Sequence, residues 1–282
     1  MILIKSYCYS THELPFVIAQ LSEGFDFIDK LVLYEYNYTH SGNKKEYEME
    51  KVLHLIPEHL KSKLDYKKVD LSSYIVTTTD SKQMHSINEP IQRSMLFNDS
   101  SYSLSDDTII IDVDIDEIIY KRCYIPLIQE LRQRNQPLSI RLNQFFYKHN
   151  YLWKDCNFSS PTIYSYDMVK NMNYTIRGIK IQNLRDLSVK TSTVHGCHMS
   201  WVMPTLFMLK KLTSYAHPEY MRFADIDVLN RAIEDKKYPF SPSTPFTIEE
   251  LSIDDDKIPR SMRENNIFEY INDYDNILGK QL

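Results

Sequence analysis

Short apolar runs alternate with amphipathic stretches through the first half of this chain, and the alternation predicts strand and helix in turn. Residues 2–9 form an apolar stretch of the length of one buried strand. Ser10-Thr11-His12-Glu13 has capping-box spacing ahead of Phe16-Val17-Ile18-Ala19, which predicts a helix with Pro15 near its start. Residues 27–34 predict a second strand ending at Glu35, residues 44–55 a helix stopped by Pro57, and residues 66–71 a short third strand. Asn88-Glu89-Pro90 marks a helix start, with Ile91, Met95 and Leu96 at helical spacing behind it. Thr108-Ile109-Ile110-Ile111 is a buried strand running into an acidic cluster, and Pro126 opens a helix through Leu131. This rhythm predicts an α/β fold with a mostly parallel sheet covered by helices.

The second half patterns differently. Phe145-Phe146-Tyr147, Tyr151 and Trp153 are crowded together, strand-like segments follow at 174–181 and 193–201, and a helix is predicted over 204–215. From Pro239 onward the chain is rich in Pro, Ser and Asp, as a surface-wrapping tail would be. No repeat or long linker divides the 282 residues, so a single domain is expected, with a first half over 1–120, a second half over 121–240 and the tail over 241–282.

Composition narrows the chemistry. A formal net charge of −5 provides no global basic field, which argues against a nucleic-acid partner. Cys8, Cys123, Cys156 and Cys197 form no CxxC pair, so neither a structural zinc site nor a disulfide framework is expected. No apolar run reaches the length of a membrane span, and the N-terminus lacks the pattern of a signal peptide. The expectation is a soluble, cytoplasmic protein with reduced thiols. The five glycines, at 24, 42, 178, 196 and 279, make neither GxGxxG nor a P-loop, so any phosphate must be met by side chains and a metal.

The strongest local signal is Ile111-Asp112-Val113-Asp114-Ile115-Asp116-Glu117. On a strand, alternation puts Asp112, Asp114 and Asp116 on one side. Clustered carboxylates repel unless a cation sits between them, and hard oxygen donors suit Mg²⁺ or Mn²⁺. An EF-hand fails because Glu117 stands where its glycine belongs. A Mg²⁺-dependent, haloacid-dehalogenase-like phosphatase or phosphotransferase remains an alternative, with Asp112 as nucleophile and Asp254-Asp255 as a downstream acidic pair. A solvated strand end is the bland one.

Several separated segments resemble glycosyltransferase family 17, the family of the β-1,4-mannosyl-glycoprotein 4-β-N-acetylglucosaminyltransferases. Residues 25–42 resemble its strand ending in Glu-x-Asn-x-Thr-x-x-Gly, here Glu35, Asn37, Thr39 and Gly42. Glu89 with Gln92-Arg93 resembles its Glu-x-x-Gln-Arg helix, and Asp114-Ile115-Asp116-Glu117-Ile118 its Asp-x-Asp-Glu-Ile core. Gly196-Cys197-His198-Met199-Ser200-Trp201 and Lys211 to Tyr220 are similar to its two later motifs, in family order. Cys197, Pro218 and Ile119 depart from the family pattern.

The resemblance implies a GT-A-type, Rossmann-like α/β fold and a metal-dependent inverting glycosyltransferase. The implied donor is a UDP-sugar, N-acetylglucosamine first, and the acceptor a glycan or other hydroxyl compound. Asp116 then meets Mn²⁺ or Mg²⁺ and Asp114 the metal or the ribose. His198 is a further metal or pyrophosphate ligand, or else a structural hydrogen-bonder. Arg93 pairs with phosphate or with Asp114. Glu35, Asn37 and Thr39 are donor contacts at a strand end, or turn chemistry. Inversion needs a carboxylate to deprotonate the acceptor, and Glu219, then Asp155, are the candidates. Phe145, Tyr147, Tyr151 and Trp153 are an acceptor platform or core. A non-catalytic carbohydrate-binding protein on the same scaffold is the remaining alternative.

Overall fold

The computed structural model describes residues 1–75, 81–99, 101–171, 187–214, 218–241 and 243–264. Its first strands, β1 (Ile2–Cys8), β2 (Lys30–Tyr36), β3 (Leu64–Val69) and β4 (Ile109–Asp112), pair in parallel in the order β3-β2-β1-β4. The side chains alternate between two buried faces. Ile4, Leu31, Leu33, Ile109 and Ile111 join one core with the helix Leu14–Gly24, while Leu3, Val32, Tyr34 and Ile110 join another with Ile91, Met95 and Leu96. A sheet covered on both faces is why these strands are near-continuously apolar in sequence.

The chain then adds β5 (Glu117–Ile119), β6 (Leu138–Gln144), β7 (Tyr151–Trp153), β8 (Thr162–Ser165) and β9 (Val189–His198). All but β7 extend the same sheet as β4-β8-β6-β9-β5. β8 runs antiparallel to β4 and β6, and β5 antiparallel to β9, so six of the eight strands point one way. Gly196 makes the last pairing possible: a Cβ there would lie 2.1 Å from the Ile118 carbonyl oxygen. β10 (Ile248–Glu250) pairs with β7 outside this sheet. Beyond it, Ile258 and Met262 are buried in the core that contains the helix Leu14–Gly24.

Several expected elements shift. Residues 44–55, expected as a helix, carry only two 3-10 turns, Met49–Lys51 and Leu53–Leu55. The reason is tertiary: the backbone N–H groups of Glu48 and Met49 donate to the buried Glu35 carboxylate. Pro90 stands inside the helix Ser81–Arg93, where it costs one bond near an end already stopping. The strands expected at 27–34, 66–71 and 193–201 occupy Lys30–Tyr36, Leu64–Val69 and Val189–His198, and the helix expected at 204–215 occupies Thr205–Ser214. The strand expected at 174–181 lies outside the described residues.

Candidate active site

A cavity of about 360 Å³ opens at the C-terminal ends of β1, β2, β4 and β9. The crevice beyond strand carboxyl ends is where open α/β sheets bind ligands. Tyr7, Tyr9 and Ser10 line it from β1 and the turn after it, followed by His12 and Glu13 ahead of the first helix. Thr39, His40, Lys45 and Glu48 come from the loop after β2, and Glu89 and Arg93 from the helix Ser81–Arg93. Residues 114–117 line it too, together with Phe158, Ser160, His198, Ser200, Lys210 and Lys211.

The acidic run does not continue as a strand. β4 stops at Asp112, and the chain turns so that the Asp114 N–H donates to Glu117 Oε2 at 2.7 Å and the Glu117 N–H to the Asp114 carbonyl at 2.9 Å. The three aspartates therefore do not share one side. Asp112 closes on the buried Lys5 at 2.7 Å and does not line the cavity; Asp114 and Asp116 do. Burial pushes the Lys5 ammonium down against the pull of Asp112. The phosphotransferase alternative thus has its nucleophile in an ion pair, and Asp254 and Asp255 do not line the cavity either.

Asp114 is held from two sides. Its Oδ1 accepts from Tyr7 Oη at 2.7 Å and Arg93 Nη1 at 2.8 Å, and its Oδ2 from Nη2 at 3.3 Å. Arg93 also donates from Nε to Glu89 at 2.8 Å. The pairing of Arg93 with Asp114, one of the two expected, is present, and both residues line the cavity.

Asp116 lies between Lys211 Nζ, 3.4 Å from Oδ2, and His198 Nε2, 3.6 Å from Oδ1. Burial pushes its carboxyl up, but Lys211 and His198 outweigh that and hold it below its ordinary value. His198 stacks on Phe158 with ring centroids 4.1 Å apart. Its Nδ1 donates to Gln144 Oε1 at 2.8 Å, and the Gln144 amide donates to the Phe145 carbonyl at 2.8 Å, which orients that oxygen toward the ring. Protonated, the ring is the ion-pair partner that helps to hold Asp116 down; neutral, it leaves Nε2 as an acceptor facing the carboxylate oxygen. Two acceptors across a short gap suit a cation between them, and a histidine fixed through its other nitrogen is a usual metal ligand. Among the described residues no three His, Cys, Asp or Glu side chains form a ready-made cation cluster. The donor set thus fits a divalent cation as a partial shell of Asp116 and His198, with Asp114 beside it.

Other expected site residues hold the fold. Glu35 is fully buried and accepts from Lys45 Nζ at 2.9 Å, from Tyr66 Oη at 2.5 Å and from the two loop N–H groups, so it fixes the loop that brings Lys45 and Glu48 to the cavity. Asn37 bridges Asp70 and the Leu71 N–H, and Thr39, which does line the cavity, accepts from the Asn43 N–H. Asp155 accepts from the Thr247 N–H at 2.6 Å and does not line the cavity. Glu219 falls in the 3-10 stretch Pro218–Phe223, and its side chain lies outside the described residues. Phe145, Tyr147 and Tyr151 are buried and Trp153 packs on Phe246; none lines the cavity.

Sequence reasoning did not single out Tyr7, His12, Glu48 or Lys210, and it gave Glu13 and Lys211 no role in the site. Glu13 was visible only as a cap, and it does accept from the Tyr9 and Ser10 N–H groups. Burial raises its carboxyl to about 7.

The model of glycosyltransferase family 17 matches residues 6–236, most of the chain. The chain belongs to glycosyltransferase family 17 and is therefore a glycosyltransferase. Its sheet, with six aligned strands, β8 reversed between β4 and β6 and β5 reversed at the edge, is the mostly parallel α/β sheet flanked by helices that was expected. No curated protein sequence matches it. Solved structures with a similar fold include S. aureus TarS 1–349, at 12% identity and TM-score 0.36 over 83% of this chain and 72% of that one. The galactosyltransferase LgtC, solved with donor and acceptor sugar analogs, is 7% identical with TM-score 0.40 over 96% of both chains. A 4-diphosphocytidyl-2C-methyl-D-erythritol synthase from Anaerococcus prevotii is 12% identical with TM-score 0.34 over 66% of this chain and 82% of that one. Likenesses this distant leave the assignment on the family match. Among the described residues no helix is long and apolar enough to cross a membrane.

Proposed function

We propose that this chain is a divalent-cation-dependent, inverting glycosyltransferase that moves a hexose, N-acetylglucosamine by family resemblance, from a UDP-sugar to a glycan or other hydroxyl acceptor. The observation that carries the reading is the facing pair of Asp116 Oδ1 and His198 Nε2, 3.6 Å apart in the cavity, with the His198 tautomer set by Gln144. Mn²⁺ or Mg²⁺ held there would supply Lewis-acid charge beside the donor diphosphate.

The chain's own groups do the remainder. Arg93 and Tyr7 hold Asp114 in place for the cation or the ribose, and Lys210 and Lys211 add positive charge to the cavity lining, Lys211 beside Asp116. Phe158 stacks on the imidazole and covers one of its faces. Glu219 is the proposed acceptor base. Asp155, which accepts from the Thr247 N–H and does not line the cavity, is the second candidate.

A thermal-shift panel of nucleoside diphosphates and nucleotide sugars, with and without Mn²⁺, tests this reading. UDP and a UDP-sugar are expected to raise the melting temperature only when Mn²⁺ is present. No response to any member, with or without the cation, would overturn it. Binding without turnover of any donor, by transfer or hydrolysis, would instead favour the carbohydrate-binding alternative.

A further inference from the structure

The carboxylates proposed to serve the cation already have positive partners. Arg93 grips Asp114 with two hydrogen bonds, and Lys211 stands 3.4 Å from Asp116 Oδ2. Lys211 is firmly placed: Nζ donates to the Ser200 carbonyl at 2.6 Å and Ser200 Oγ at 3.2 Å, and it sits 5.3 Å from the Trp201 ring centre. Ammonium and imidazole therefore occupy opposite edges of one carboxylate.

Two consequences meet here. An ammonium this close offsets much of the field by which Asp116 would attract a free divalent ion. The protein donors also leave the cation's shell incomplete, because no three such side chains cluster among the described residues. Small divalent cations bound by only one or two carboxylates complete their shell with substrate phosphate oxygens. A diphosphate brings both those oxygens and enough negative charge to engage Lys211 and the cation at once.

We infer that cation and nucleoside diphosphate enter this site together, with Lys211 as a tethered counter-ion that keeps the empty pocket from taking the cation alone. The inference rests on the preceding reading of Asp116 as a metal ligand. It adds an order of binding and assigns Lys211 to the donor diphosphate.

Calorimetric titration of Mn²⁺ into the free and the UDP-loaded protein, and of UDP at saturating Mn²⁺, tests it in the wild type, K211M and K211R. The wild type is expected to bind Mn²⁺ at least about tenfold more tightly with UDP than without. K211M is expected to bind Mn²⁺ alone about tenfold more tightly than the wild type, and to bind UDP about tenfold more weakly. K211R, which keeps the charge, should restore both. If K211M does not fold, as judged by circular dichroism, K211Q replaces it; if neither folds, the two wild-type Mn²⁺ titrations decide. Equal wild-type Mn²⁺ affinity with and without UDP, or K211M indistinguishable from wild type, overturns this inference and leaves the metal reading standing. A wild type that binds neither Mn²⁺ nor UDP in any combination brings down the metal reading, and this inference with it.

Discussion

The two halves of the sheet use their polar side chains differently. In the parallel half, β3-β2-β1-β4, the polar side chains near the strand ends hold the fold: Glu35 gathers the loop at 45–49, Asn37 ties two loops together, and Asp112 neutralises a buried lysine. In the mixed half, where β9 pairs with β5, the polar groups face the cavity: Asp116 and His198 look at each other, and Gln144 orients the ring. A carboxylate at a strand end is therefore not a ligand by position. What faces it decides.

The contrast breaks most sharply at Asp116. Asp116→Asn should lower turnover by roughly 10²–10³-fold, as loss of one electrostatic stabiliser does, while the melting temperature moves by no more than about 4 °C. Asp112→Asn should do the reverse. Leaving Lys5 buried and unpaired should cost about 3 kcal/mol in a denaturant titration, and the folded fraction should keep its turnover. A folded but inactive Asp112 variant would return the phosphotransferase reading.

Glu13 sharpens the boundary between the halves, because it reaches the cavity from the parallel side. Its folded carboxyl, raised by burial to about 7 from 4.5, holds its proton more tightly than in the unfolded chain. The associated stability is present below pH 4.5 and is lost as pH rises through 7. His12 next to it, pushed down to about 3 by burial and then by Lys211 and Lys210, slopes the opposite way. The useful quantity is thus a difference: Glu13→Gln should gain about 2–3 kcal/mol on wild type between pH 4.5 and 8. A constant difference across that range would count against the shift. The smallest effect is expected at Glu35→Gln, about 2 kcal/mol of stability, with the loop at 45–49 loosened and Asp116 chemistry intact.

Much of the fold was legible because a sheet buried on both faces writes itself as apolar runs. β1, β2 and β4 were visible that way, to within a few residues. β6 and β8 were not, since Leu138–Gln144 alternates polar and apolar residues and Thr162–Ser165 is short. The helix expected over 44–55 failed because the Glu48 and Met49 N–H groups go to Glu35, a partner 13 and 14 residues away that no local period can reveal. In the site, the pairing of acids with metal-ligand spacing drew attention to Asp114 and Asp116, and the motif order to Arg93 and His198. Glu48 and Lys210 gave no sign, and Lys211 showed only as the first residue of a matching motif. A cation in the last turns of a helix looks the same whether it faces water or a carboxylate brought close only by folding.

Lys210 reaches back from the helix Thr205–Ser214 to Glu48 at 2.9 Å, across 162 residues of chain. Tyr7 and Lys211 meet in the same chamber. During synthesis on the ribosome, then, the pocket is late to exist: the chain must be made as far as Lys211 before its walls close. Contacts of such long range form slowly. Cutting the chain in two and mixing the pieces would test each half's ability to fold, yet neither piece alone would hold a sugar.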